Sequence, residues 1–174
     1  RTSVKVLNLL LIPEVLHLQR QAAGAQVTHV DASKGMVTWA KENAVSSGLG
    51  DAPIRWLVDD CVKFVEREIR RGNTYDAIIM DPPSYGRGPK GEIWKIEDMI
   101  HPLIKLCIKI LSKDALFFLV NSYTTGLAPA VLTYMISTEL KPWNGHVDSQ
   151  EIGLPVTDSG LVLPCGASGR WERD

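Results

Sequence analysis

The apolar run Ala77-Ile78-Ile79-Met80 stops abruptly at Asp81-Pro82-Pro83-Ser84-Tyr85, and no other feature limits the fold of this chain as much. Four consecutive apolar residues read as a strand buried on both faces, as in a parallel sheet. Two prolines cannot continue the ladder, because each fixes φ and lacks an N–H. The chain must leave the sheet here, holding a carboxylate and an aromatic ring at the carboxyl end of a strand. Open α/β sheets bind their ligands at that edge. A strand followed by a proline turn with a capping aspartate is the plainer alternative, so the rest of the chain has to decide.

Upstream, Val4 to Ile12 is apolar except for Asn8 and reads as a first strand. Pro13 suits the first turn of a helix carrying Val15, Leu16 and Leu18, closed by Gly24. Gln26 to Val30 forms a second strand, ending at Asp31. Ser33 can cap the next helix, in which Met36, Val37, Ala40 and Ala44 recur at helical spacing. Ile54 to Val58 is a third strand, stopped by Asp59 and Asp60, and Val62, Val65 and Ile69 mark the helix after it. Beyond Tyr85, Gly86 to Gly91 reads as a flexible basic loop, and Ile93 to Leu111 as a long helix interrupted at Pro102. A fifth strand is expected over Ala115 to Val120 and a helix over Pro129 to Leu140. A hairpin then joins Val147–Leu154 to Leu161–Leu163 through Asp158-Ser159-Gly160. Strand and helix thus alternate, which predicts an α/β fold: a doubly wound, mostly parallel, Rossmann-like sheet with a C-terminal antiparallel strand pair.

The second, third and fourth strands all end in carboxylates, Asp31, Asp60 and Asp81, and parallel strands bring such ends to one rim. Each acid alone is explained by a helix cap or a turn. Together they suit a nucleotide: an acid after the second strand can accept both ribose hydroxyls, and Asp60 can accept from an adenine amino group.

The totals leave room for one domain covering 1–174, with a full core, from 174 residues that are 45% hydrophobic and 22% charged. No apolar run approaches the ~20 residues of a membrane span. Cys61, Cys107 and Cys165 form no CxxC and have no histidine at ligand spacing, so neither a metal nor a disulfide is expected and a reducing cytoplasm is. A net charge of −1 gives no global pull on nucleic acid, so phosphate contacts need a local patch or another domain. With no initiator methionine, we expect the chain to be the C-terminal part of a longer protein.

The string Asp81-Pro82-Pro83-Ser84-Tyr85 resembles motif IV of class I S-adenosylmethionine-dependent methyltransferases. Together with Thr28-His29-Val30-Asp31-Ala32-Ser33 and the run to Glu97, it is similar to the ribosomal-RNA large-subunit methyltransferase-like group, from about Ala22 to the C-terminus. The resemblance implies S-adenosyl-L-methionine as cofactor and an RNA substrate reached through a domain absent from this chain. It implies cofactor binding by Asn8, Asp31, Ala32, Ser33, Asp60, Cys61 and Asp81, with Asp31 on the ribose and Asp60 and the Cys61 backbone on the adenine. Asp81, the Pro82 carbonyl and Tyr85 take the catalytic roles on the target base, and Pro83, Ser84, Arg87, Lys90, Asn121 and Ser122 line the substrate side. Transfer from a sulfonium is an in-line displacement that needs alignment more than covalent help. Tyr85 can stack on a base drawn out of its helix.

Two departures matter. The glycine-rich turn expected after the first strand is replaced by Leu10 to Gln21, with no glycine before Gly24 and with Leu11 and Glu14 at glycine positions. A change of reading frame and a degenerate enzyme both produce that pattern. Secondly, the resembling C5-pyrimidine enzymes place a nucleophilic cysteine after strand five, where this chain has Val120 to Gly126 with none. Transfer to nitrogen is therefore preferred over C5. The rival readings are a Rossmann-like remnant that binds RNA or a partner without turnover, and a nicotinamide-dependent oxidoreductase. The oxidoreductase needs a G-x-G-x-x-G that is missing and leaves Asp81-Pro82-Pro83 unexplained.

Overall fold

A computed structural model describes residues 3–10, 24–88, 91–124 and 126–174. The chain divides into two compact units, Arg1–Asp81 with Leu106–Leu116, and Pro82–Lys105 with Phe117–Asp174. The fold is α/β, mostly parallel with antiparallel strands at the C-terminus, as the sequence reading requires: four parallel strands lie in the first unit, and antiparallel strands in the second.

In the first unit the strands lie in the order β3 (Ile54–Val58), β2 (Gln26–Asp31), β1 (Lys5–Leu9), β4 (Ala77–Met80), all parallel. Leu7, Leu9, Val30 and every residue of β4 are buried, the continuous apolar pattern of a two-sided parallel sheet. Helix α1 (Lys34–Ser46) starts where the Ser33 hydroxyl accepts from the Met36 N–H at 3.3 Å. Helix α2 (Cys61–Arg71) starts at Asp60, whose carboxylate accepts from the Lys63 N–H at 2.9 Å. It ends at Gly72, whose φ of 69° is the left-handed cap that glycine adopts without strain. On the inner side of α2 the buried Glu68 carboxylate accepts from Arg71, Asn73 and Tyr75 at 3.0, 2.9 and 2.9 Å. Burial opposes its ionisation, but the three hydrogen bonds outweigh that and lower its pKa.

In the second unit β7 (Phe117–Ser122), β9 (Val162–Glu172) and β8 (His146–Pro155) run antiparallel in that order, with α4 (Pro129–Glu139) against β8 and β9. Proline at the start of α4 is the N-terminal placement anticipated from sequence. Gly86 and Arg87, expected within a loop, belong instead to β5 (Tyr85–Arg87), which forms a two-stranded hairpin with β6 (Ile93–Lys95). The helix expected from Ile93 begins later, as α3 (Ile96–Ile108), with Pro102 inside it. The fifth strand runs two residues further than expected, so Asn121 and Ser122 lie within β7 rather than after it. The expected helix from Pro13, and Leu11 and Glu14, lie outside the described residues. Leu10, just before them, has φ of 64°, a conformation a bulky L-residue adopts at a cost of about 1–2 kcal/mol.

Candidate active site

In the first unit, ladder bonds carry the four strand ends to a common edge. The Leu10 N–H donates to Val30 O at 3.0 Å, Asp59 N–H to Asp31 O at 3.0 Å, and Asp81 N–H to Leu9 O at 3.2 Å. Asp31, Asp59, Asp60 and Asp81 therefore sit along one rim, as the strand endings predicted. Asp31 is 8% exposed and accepts from the Ser33 N–H at 2.7 Å. Burial raises its pKa, and that N–H offsets only part of the rise. Ala32 and Ser33 are exposed.

Ser33 and Asp60 are both engaged as helix caps, so the plain reading of these two residues is true whatever else they do. Asp59, read from the sequence only as a strand stop, is paired with Arg67. The spacing of eight residues across a strand-to-helix turn gave no local signal for that pair. Cys61 begins α2 and is buried, its thiol donating to Val30 O at 3.5 Å. Burial first, then the charges of Asp31, Cys107, Asp60 and Asp59, push its pKa far up. It is held as a neutral thiol.

Asn8, in the middle of the sheet, is 2% exposed, and its amide donates to His29 Nδ1 at 3.0 Å. An amide N–H needs an acceptor, so the ring is neutral with its proton on Nε2. Burial lowers the His29 pKa to about 4. Trp56 packs on the ring at 5.1 Å between centroids. Asn8 thus spends its amide within the sheet rather than at the rim.

In the second unit the Pro82-Pro83-Ser84-Tyr85 turn is held at several points. Pro82 is buried. The Trp94 indole N–H donates to Pro83 O at 2.7 Å, and the Ile96 N–H to Ser84 O at 3.1 Å. Ser84 Oγ and Thr124 Oγ1 share a hydrogen bond of 2.5 Å. Tyr85 is half exposed, and its hydroxyl accepts from Arg87 Nε at 3.0 Å. Trp94 and Thr124 are the anchors that sequence reading missed; nothing local marks a tertiary bond to a carbonyl eleven residues earlier. Asn121 is buried, with Oδ1 accepting from Ser168 Oγ at 2.8 Å, and the buried Ser122 Oγ accepts from the Thr124 N–H at 3.2 Å. Both are structural within β7 as well as polar. Lys90 lies outside the described residues.

Two carboxylates at adjacent strand ends, one of them buried, are the acceptors that a ribose diol and an exocyclic amine require. The residues present at this rim therefore fit a nucleoside. Among the described residues no group of three or more His, Cys, Asp or Glu side chains gathers to hold a metal ion, and no helix is long and apolar enough to cross a membrane.

No protein-family model matches the chain. Among solved structures, an S-adenosylmethionine-dependent methyltransferase from Agrobacterium tumefaciens is 41% identical, with a TM-score of 0.87 over 99% of this chain and 56% of its own. A methyltransferase candidate from Streptococcus mutans, 19% identical over 98% of this chain and 45% of its own with a TM-score of 0.73, shares the fold. Among curated proteins, the ribosomal RNA large subunit methyltransferase K/L of Shewanella frigidimarina is 30% identical over 107 residues, 58% of this chain. The large subunit methyltransferase K of Neisseria meningitidis is 28% identical over 94 residues, 53% of this chain. The chain spans 15% and 27% of the length of these two curated relatives. In sequence and in fold the chain resembles the class I S-adenosylmethionine-dependent methyltransferases, the ribosomal-RNA large-subunit group among them.

Proposed function

Proceeding from that resemblance, we propose that this chain is the catalytic domain of an S-adenosylmethionine-dependent methyltransferase acting on a nucleobase of RNA, ribosomal RNA being the leading candidate. The observation that carries the reading is Asp81, first residue of the Asp81-Pro82-Pro83-Ser84-Tyr85 string, following β4 on the rim where Asp31 ends β2 and Asp60 follows β3. S-adenosyl-L-methionine supplies, when bound, an electrophilic methyl group on a sulfonium. The chain's own residues do the rest. Asp31 accepts from the ribose, and Asp60, with the Cys61 backbone, meets the adenine. The Asp81 carboxylate and the Pro82 carbonyl accept from an exocyclic amine of the target base, turning its lone pair toward the methyl. The bond from Trp94 already engages one lone pair of the Pro83 carbonyl, which favours the neighbouring Pro82 carbonyl for this role. Tyr85, half exposed, stacks on the base.

Nitrogen is the preferred acceptor over C5, which needs a thiolate to add to the ring. Cys61 and Cys107 are buried thiols whose pKa burial pushes far up, and Cys165 donates to Leu163 O at 3.3 Å near the chain's end. The remnant reading draws on Leu11 and Glu14 at the glycine positions, and on Leu10 just before them, a bulky residue with a positive φ.

Calorimetric titration with S-adenosylhomocysteine tests the cofactor assignment, and binding in the micromolar range is expected. No binding at millimolar ligand would sink the claim of an active enzyme and favour the remnant. With tritiated S-adenosylmethionine and ribosomal RNA, Asp81→Ala is expected to abolish methyl transfer while leaving cofactor affinity within about threefold. A large affinity loss would contradict its assignment to the target base.

A further inference from the structure

The β5–β6 hairpin has two unlike faces, and the methyl-transfer chemistry uses one residue of the outer one. Tyr85 pairs with Lys95, Gly86 with Trp94, and Arg87 with Ile93. Directly opposed residues share a face and successive residues alternate. One face therefore carries Gly86 and Trp94. It is turned inward: Trp94 bonds Pro83 O, and a Cβ placed on Gly86 meets Pro83 Cγ at 3.9 Å. The other face carries Tyr85, Arg87, Ile93 and Lys95, all exposed, Tyr85 at 50% and Ile93 at 55%.

That outer face is an aromatic ring and an aliphatic side chain set between two cations. Arg87, exposed, donates through Nε to the Tyr85 hydroxyl, which fixes the ring beside the cation. Among the described residues Lys95 forms no ion pair. Glu92, the acid within the hairpin, lies against Gly88 at the turn, where its carboxylate oxygen is 2.5 Å from where a Cβ on Gly88 would stand. Ring faces with flanking cations on a rigid ribbon suit a strand of unpaired bases: bases stack on the ring and phosphates meet the cations. The exposed aliphatic and aromatic pair gives no advantage against a duplex, whose bases are already stacked.

We propose that the outer face of this hairpin is a ledge for single-stranded RNA, on which Lys95 and Arg87 hold the phosphates flanking the nucleotide at Tyr85 and Ile93 packs under a neighbouring base. The assignment rests on the methyltransferase reading for the role of Tyr85 only, since the register and exposure hold without it.

The test is fluorescence anisotropy of the chain with a short fluorescein-labelled oligouridylate, over a range of salt concentrations, beside a duplex RNA of equal length. The chain binds the single strand in preference to the duplex. Lys95→Glu weakens binding about tenfold or more, and Lys95→Ala lowers the slope of log affinity against log salt by about 0.7, the contribution of one phosphate contact to a single strand. Tyr85→Ala weakens binding at least about fivefold with the salt slope unchanged. Circular dichroism and S-adenosylhomocysteine titration of each variant report folding and the cofactor site independently. Wild-type failure to bind the oligonucleotide, duplex preference, or a Lys95→Glu variant with unchanged affinity and slope would each overturn the ledge. Cofactor binding without oligonucleotide binding removes the ledge and leaves the enzyme reading standing; the reverse outcome removes the enzyme reading alone.

Discussion

Asp60 carries two assignments on one carboxylate. It caps α2 through the Lys63 N–H, and it is proposed to accept from the adenine amino group. The two roles separate chemically, because asparagine caps a helix about as well as aspartate, whereas alanine does not. Asp60→Asn is expected to keep stability within about 0.5 kcal/mol and Asp60→Ala to lose about 1 kcal/mol. Both weaken S-adenosylhomocysteine binding. Urea denaturation beside calorimetry checks the pair, and unchanged ligand affinity in both variants would leave Asp60 a cap and nothing more. At this scale the site was partly legible: carboxylates at three successive strand ends can be read from the chain, because a strand's stopping point is a local property. The partners of those residues were not. Arg67 on Asp59, Trp94 on Pro83 and Ser168 on Asn121 are all bonds made by the fold, and no spacing in the sequence announces them.

Among the elements, β3 and β4 fall where their apolar runs predicted, since a buried parallel strand is a continuous run bounded by breakers. The β5–β6 hairpin was hidden by Gly86, Gly88, Pro89 and Gly91, which read as loop chemistry although three residue pairs suffice for the ladder. The length of β9 was hidden too, by Gly166, Ala167, Ser168 and Gly169, which show no alternation of apolar and polar side chains. Their smallness has a geometric cause. A Cβ on Gly166 would lie 1.9 Å from Ser122 O and 2.8 Å from Tyr123 Cα, at the point where β9 crosses close to the end of β7. Gly160, in the turn between β8 and β9, has φ of 67° and open space around it. Gly166→Ala is therefore expected to cost more than about 3 kcal/mol or to prevent folding. Gly160→Ala is expected to cost only about 1 kcal/mol, for the left-handed backbone. Thermal denaturation of the two variants separates a steric requirement from a conformational one; equal losses would deny the close approach.

For the molecule as a whole, His29 ties stability to pH. Its folded pKa of about 4 lies below the unfolded value of about 6.5, so between these values the unfolded chain holds more protons than the folded one. Stability therefore falls as pH drops through that window, and the full effect, reached near pH 4, is about 3 kcal/mol. From pH 7 to pH 5 the histidine's share is about 2 kcal/mol. His29→Leu is expected to start less stable, having left the Asn8 amide without its acceptor, yet to lose about that much less over the same interval. Urea midpoints at the two pH values decide it, and parallel losses in both proteins would refute the assignment. The parallel order of β1, β2 and β4 also bears on how the chain assembles. Strand β1 is the hub of the first unit: it pairs with β2, where Asn8 and His29 are 21 residues apart, and with β4, where the bond from Lys5 N to Asp76 spans 71. Pairings of long sequence separation close slowly, whereas a short hairpin closes in about 1–10 μs. The outer ledge can thus fold from a few neighbouring residues while Asp81 takes its position only after the most distant pairing in the unit has formed. During refolding, the protection of hairpin amides is expected to precede that of β4.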